Sequence, residues 1–186
     1  MGVKLAAASG GSVELVPTNT ASNYTLTLPA STSTVLTTTT PGIAISGPAF
    51  SVYATVAVSA TSSVFTKVLY NTEVFDTANN FDTATNRFTP TVAGYYQFNA
   101  TASFSANASS GQILVSLYKN GARALDGALL SQSTTLTLYS SVSGIIYCNG
   151  STDYIEVYAY QSTAGSMNIG GGTAQQLFTG AMIRSA

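Results

Sequence analysis

Gly94-Tyr95-Tyr96-Gln97-Phe98-Asn99-Ala100-Thr101-Ala102-Ser103-Phe104 alternates apolar and polar side chains. Tyr96, Phe98, Ala100, Ala102 and Phe104 fall on one face of an extended chain, and Gln97, Asn99, Thr101 and Ser103 fall on the other. That is the period of a half-buried strand. The alternate aromatics therefore read as core. Gly94 opens the strand where a turn needs a positive φ or a close backbone approach, so a side chain there should clash.

Outward from this strand, short β-branched or aromatic runs bounded by turn residues follow one another: Phe50 to Val58, Val64 to Phe75, Gln112 to Lys119, Thr135 to Tyr147, Tyr154 to Tyr160 and Gln176 to Ile183. Their number and spacing predict an all-β sandwich with very little helix. In the run after Asp153, Tyr154, Glu156, Tyr158 and Tyr160 alternate with Ile155, Val157 and Ala159, so one face is core and the other is available for an interface.

A further set of residues shares a spacing with the opening strand. Asp76 is followed by Phe81, Phe88, Gly94, Tyr96 and Phe98, and Leu177-Phe178-Thr179-Gly180-Ala181-Met182-Ile183 closes the chain. This aromatic and glycine pattern resembles the signature of C1q-like domains. That family carries Phe six residues before the acidic position, where this chain has Tyr70, and an aromatic two residues after the last Phe, where it has Ala100. Asn120-Gly121 resembles the family's mid-domain hairpin, and Gly150-Ser151-Thr152-Asp153-Tyr154-Ile155 its glycine-acidic approach to a late strand. The resemblance implies a C1q/TNF-like jelly roll from about Phe50 to Ile183, assembled as a homotrimer about a threefold axis.

The first forty-odd residues have a different texture. Val13-Glu14-Leu15-Val16 and Tyr24-Thr25-Leu26-Thr27-Leu28-Pro29 read as brief strands separated by Gly, Asn, Ser and Thr turns. Strands so short make no core of their own, so Val13, Leu15, Tyr24, Leu26 and Leu28 are the candidates for docking on another chain. Thr37-Thr38-Thr39-Thr40-Pro41-Gly42 and Gly47-Pro48 mark a break, which predicts a short β-rich arm at 1–47 and a head at 48–186. The Gly-Ser-Val opening, the Asn-Tyr-Thr-Leu-Thr-Leu-Pro-Ala phrase and the Thr-rich tail resemble N-terminal segments of bacteriophage fibre and decoration proteins.

Composition narrows the function classes. Charged residues are 7% of the chain, against roughly 25% in an average soluble domain, and the six basic residues are scattered. No cluster is available to neutralise phosphates, so neither nucleic acid nor an anionic membrane is an expected partner. There is no histidine, which removes the commonest general base, the usual nucleophile triads and most zinc sites. Cys148 stands alone beside Ile145-Ile146-Tyr147 and reads as a buried small hydrophobe. Asp76, Asp82, Asn79 and Asn80 offer oxygens to Ca²⁺ but are equally turn formers, which is the preferred reading. The sequons at Asn23, Asn99, Asn107 and Asn149 are taken as chance. Gly170-Gly171-Gly172 lacks the Lys-Ser/Thr pair of a phosphate cradle.

No enzyme, cofactor or metal is expected. The leading expectation is a trimeric bacteriophage virion protein on the capsid exterior, a decoration or cement protein whose arm binds the major capsid protein and stabilises the shell. A chain running from Met1 without a long shaft suits a knob on a shell. The alternative is a tail-fibre tip or receptor-binding knob, with Tyr139, Tyr158 and Tyr160 placed to stack on host sugars or held in the core or trimer. A cellular C1q-like adhesion or signalling domain is a weaker reading, opposed by the lack of a signal segment, a collagen-like repeat and disulfides.

Overall fold

The computed structural model describes residues 3–6, 12–15, 47–107, 109–133, 136–171 and 176–186. The chain divides into two compact units, Met1–Leu36 and Thr37–Ala186. In the first, β1 (Val3–Ala6) pairs antiparallel with β2 (Ser12–Leu15), Val3 opposite Leu15 and Ala6 opposite Ser12. Val13 and Leu15 lie on β2, whereas Tyr24, Leu26, Leu28 and the break at Thr37 to Gly42 lie outside the described residues.

The second unit runs β3 (Ala49–Tyr53), β4 (Ala57–Ala60), β5 (Thr66–Lys67), β6 (Thr72–Asp76), β7 (Phe81–Asp82), β8 (Arg87–Phe88), β9 (Ala93–Phe104), β10 (Gly111–Lys119), β11 (Ala122–Asp126), β12 (Leu130–Gln132), β13 (Leu138–Asn149), β14 (Ile155–Gln161), β15 (Met167–Gly170) and β16 (Leu177–Ser185). They form two packed sheets. The first has the order β11-β10-β14-β8-β7, with β12 on β10 and β5 on β14; the second has β4-β15-β9-β16-β3-β6, with β13 on β9. No helix occurs among the described residues. Non-consecutive neighbours such as β10 with β14 and β9 with β16 make this a jelly roll rather than a meander.

Alternation along β9 follows the pattern of its sequence, with Tyr96, Phe98, Ala100, Ala102 and Phe104 all buried. The signature aromatics meet in one cluster between the sheets. Phe50 stacks on Phe88 with centroids 4.2 Å apart and meets Phe178 edge-on at 4.9 Å, while Phe88 packs against Tyr96 and Phe98 at 5.7 Å each. Gly180 is the gap that admits this packing: a Cβ there would lie 2.6 Å from Phe50 Cε1 and 2.7 Å from Phe98 Cδ1. At Gly94 the close-approach reading holds, since a Cβ would lie 2.5 Å from the Arg184 carbonyl oxygen. Asn120 and Gly121 both have positive φ, 55° and 78°, and turn β10 into β11 as a tight hairpin.

Two expected strands are broken. The run Phe50 to Val58 divides into β3 and β4, with Thr55 held by Asn71 between them through its amide at 2.9 Å and its hydroxyl at 3.0 Å. The run Val64 to Phe75 divides because the chain changes sheets: β5 pairs β14 in the first and β6 pairs β3 in the second. Val68 and Tyr70, on the crossing segment, are buried in the core. β11 is the second strand of the expected Asn120-Gly121 hairpin, whereas β7, β8, β12 and β15 lie outside the runs read from sequence. The first two are two-residue strands, too short for any period to register.

Candidate functional site

β13 pairs with β9 over its whole length, from Leu138 opposite Phe104 to Asn149 opposite Ala93. Inward residues Ser140, Val142 and Cys148 are buried, so the odd-numbered side chains of β13 point away from the core. Across β13, β9 and β16 this outer face presents Ile145 (56% exposed), Tyr147, Tyr95, Tyr139 and Ile183, with Gln97, Asn99 and Ser143 between them. The polar residues at its centre satisfy one another. Gln97 Nε2 donates to Ser143 Oγ at 3.0 Å, and Ser143 Oγ donates to Asn99 Oδ1 at 2.7 Å. Tyr95 and Tyr147 pack with ring centroids 5.4 Å apart, and Lys119 Nζ sits 5.5 Å above the Tyr147 ring.

Apolar and tyrosine side chains with no acidic side chain among them make this face a candidate association surface: covering it removes apolar area from water, with the cations of Lys119 and Arg184 at its Tyr95–Tyr147 end. Three features brace it from behind. Leu125 fills the notch at Gly144, where a Cβ would lie 2.2 Å from its Cδ2. Cys148 is buried, and burial pushes its thiol up to about 11, in keeping with its reading as an inert core residue. Asp153 accepts from Asn120 Nδ2 at 2.7 Å, Lys119 Nζ at 2.8 Å and the Asn149 amide at 2.9 Å, and the Asn120 and Lys119 bonds hold its carboxyl below the ordinary range.

The outer face of the first sheet is different. Glu156, expected on an exposed face, is 2% exposed and accepts from Lys67 Nζ and Arg87 Nε at 2.6 Å each. Burial alone would raise its pKa; the hydrogen bonds from Lys67 and Arg87 outweigh that and hold it below the usual carboxylate range. Lys67 also donates to the Thr85 carbonyl, and Arg87 lies 4.0 Å over the Tyr154 ring. Tyr158 and Tyr160 lie half-buried on this face, whereas Tyr139 lies on the other sheet, so the three tyrosines considered for sugars are not brought together.

The remaining residues singled out by sequence play structural parts. Asp76 Oδ1 and Oδ2 accept from the amides of Ala78 at 3.1 Å and Phe81 at 2.6 Å. Asp82 accepts from the Ala84 amide at 2.8 Å and the Thr85 hydroxyl at 2.6 Å. Both carboxylates thus close turns, and among the described residues no three acidic, His or Cys side chains converge as a metal site. Phe81, Phe88, Tyr96, Phe98 and Phe178 are core, and Tyr96 donates its hydroxyl to the Val92 carbonyl at 2.7 Å.

Comparison with known structures gives the same architecture. The globular domain of zebrafish complement 1qA superposes with a TM-score of 0.53 at 18% identity, covering 75% of this chain and 99% of that one. Eiger TNF from S. frugiperda superposes with a TM-score of 0.54 at 10% identity, covering 75% and 95%. Murine APRIL at pH 8.0 gives 0.51 at 14% identity, covering 73% and 98%. No curated protein matches the sequence. The family match does not reach the first forty residues, and the expected resemblance of those residues to phage proteins finds no support in these comparisons. Residues 49–183 match the C1q domain model, and the chain belongs to the C1q domain family.

Proposed function

We propose that the chain is a non-enzymatic structural protein of a bacteriophage virion, a homotrimeric decoration or cement protein on the capsid exterior. The observation that carries the assembly part of this reading is the apolar and tyrosine-rich outer face of the second sheet across β13, β9 and β16, which bears no acidic side chain and has Lys119 and Arg184 beside its Tyr95–Tyr147 pair. Three copies closed about a threefold axis would cover Tyr95, Ile145, Tyr147 and Ile183 against one another, and closed symmetry leaves no unsatisfied copy of the patch. Low overall charge suits the same end, since little repulsion keeps copies apart.

The virion part is supported by the arm. A trimer carries three arms, so modest contacts from each to the major capsid protein would sum through effective concentration into firm attachment. Binding assembled shell in preference to free subunits then stabilises the shell by mass action. Quantitative mass spectrometry of purified virions tests the reading. A copy number comparable with that of the major shell protein is expected; a copy number matching a tail or fibre component would instead make the protein a receptor-binding knob.

A further inference from the structure

On the outer face of the first sheet, opposite the association surface, lies a groove of about 370 Å³. Phe65, Tyr160, Leu114 and Leu129 line it together with Arg123 and Asp126. Phe65 and Tyr160 pack at 5.0 Å between centroids, and the row continues through Tyr118, 5.8 Å from Phe65, to Tyr158, 4.1 Å from Tyr118. The Arg123 guanidinium lies 5.1 Å over the Phe65 ring. It also donates to Asp126 Oδ2 at 2.7 Å, while Asp126 Oδ1 accepts from Ser116, which is fully buried. Gly127 locks this wall: its amide donates to the Val115 carbonyl at 2.8 Å, and a Cβ there would lie 2.1 Å from the Ser141 carbonyl oxygen.

We infer that this groove is a binding site for a neutral hexopyranose. Its size falls within the roughly 300–1,000 Å³ of small-molecule sites. Tyr160 offers an electron-rich ring, and Phe65 the ring area that Arg123 does not cover, to attract the weakly positive C–H face of a sugar ring. Beside the rings Arg123 and Asp126 offer a guanidinium and a carboxylate, a donor fork and an acceptor fixed side by side, which suit vicinal hydroxyls. The two charges already neutralise one another, so an anion would have to displace Asp126 and a cation Arg123. An acyl chain or apolar helix would bury the pair without replacing its water, at a net cost. An uncharged ligand with one C–H face and a hydroxyl edge suits both the rings and the ion pair beside them. Because the groove and the association surface point in opposite directions, a trimer would display three grooves, and weak single-site binding would gain by avidity on a polysaccharide.

Saturation-transfer NMR on the full chain tests the site, with methyl glucoside, methyl galactoside, methyl mannoside and N-acetylglucosamine as probes. At least one of these sugars should receive saturation, strongest on the C–H protons of one ring face. Its binding should weaken about tenfold in Arg123→Ala, the scale of a lost hydrogen bond to a charged group. Asp126→Asn, nearly identical in shape, should show a comparable loss while the melting temperature confirms the fold. Absence of transfer to all four sugars, or equal transfer to the wild type and Arg123→Ala, would overturn the assignment.

Discussion

Gly180 and Gly94 show how single positions govern the packing of this fold. At Gly180 the space a side chain would need is already filled by Phe50 and Phe98, and at Gly94 it is filled by the backbone of β16. Overpacking of this kind costs about 1–3 kcal/mol, and more where the obstacle is backbone. Gly180→Ala should therefore lower the thermal midpoint, and Gly94→Val should lower it further; an unchanged midpoint in both would refute the close-approach account. The role of Gly94 was readable from sequence because it stands at the head of an alternating aromatic strand, whereas Gly180 was legible only as a position of the family signature. Tyr70 was readable as a signature position, but not as the donor of a 3.0 Å hydrogen bond to the Thr101 carbonyl. That bond satisfies a hydroxyl placed in an otherwise apolar core.

β14 joins the core to the polar outer face of the first sheet, and its period was legible while its chemistry was not. Ile155, Val157 and Ala159 pack inward as their spacing predicts. Glu156 escaped recognition because its partners Lys67 and Arg87 lie 89 and 69 residues earlier in the chain. The folded pKa of Glu156 lies below its ordinary value of 4.5, so this carboxylate contributes fully above that pH and its contribution is lost as pH falls through the folded pKa. Asp153, lowered from 3.8, acts in the same direction. With no histidine, melting temperature should be nearly flat between about pH 5.5 and 8 and should fall below that range. Glu156→Gln should cost about 1–3 kcal/mol at neutral pH, less than a fully enclosed pair because Lys67 and Arg87 remain partly exposed. It should also make the acid limb of the curve shallower. An unaltered acid limb in the variant would show that the carboxylate is not the titrating contributor.

For the whole molecule, an all-β jelly roll could be read from strand spacing and from the Asp76 to Phe98 signature, and the C1q domain match at 49–183 bears it out. The association face was only half legible. Gly144-Ile145-Ile146-Tyr147 is a near-continuous apolar run, so period alone does not say which of its side chains face water. Pairing with β9 decides it, sending Ile145 and Tyr147 outward opposite Gln97 and Tyr95. The proposed division of labour between arm and head makes a separate prediction. Removing residues 1 to 40 should abolish attachment to virions in co-sedimentation while leaving the head assembled, and continued co-sedimentation would exclude the arm as anchor.

Assembly through the outer face of β13 and β9 is the claim on which the rest depends, and sedimentation equilibrium tests it most directly. The wild-type chain should sediment at three times 19.1 kDa, and Ile145→Asp, which places three carboxylates around the closed interface, should sediment at 19.1 kDa with its fold intact. A wild-type chain that remains at 19.1 kDa, or an Ile145→Asp variant that remains trimeric, would contradict the account.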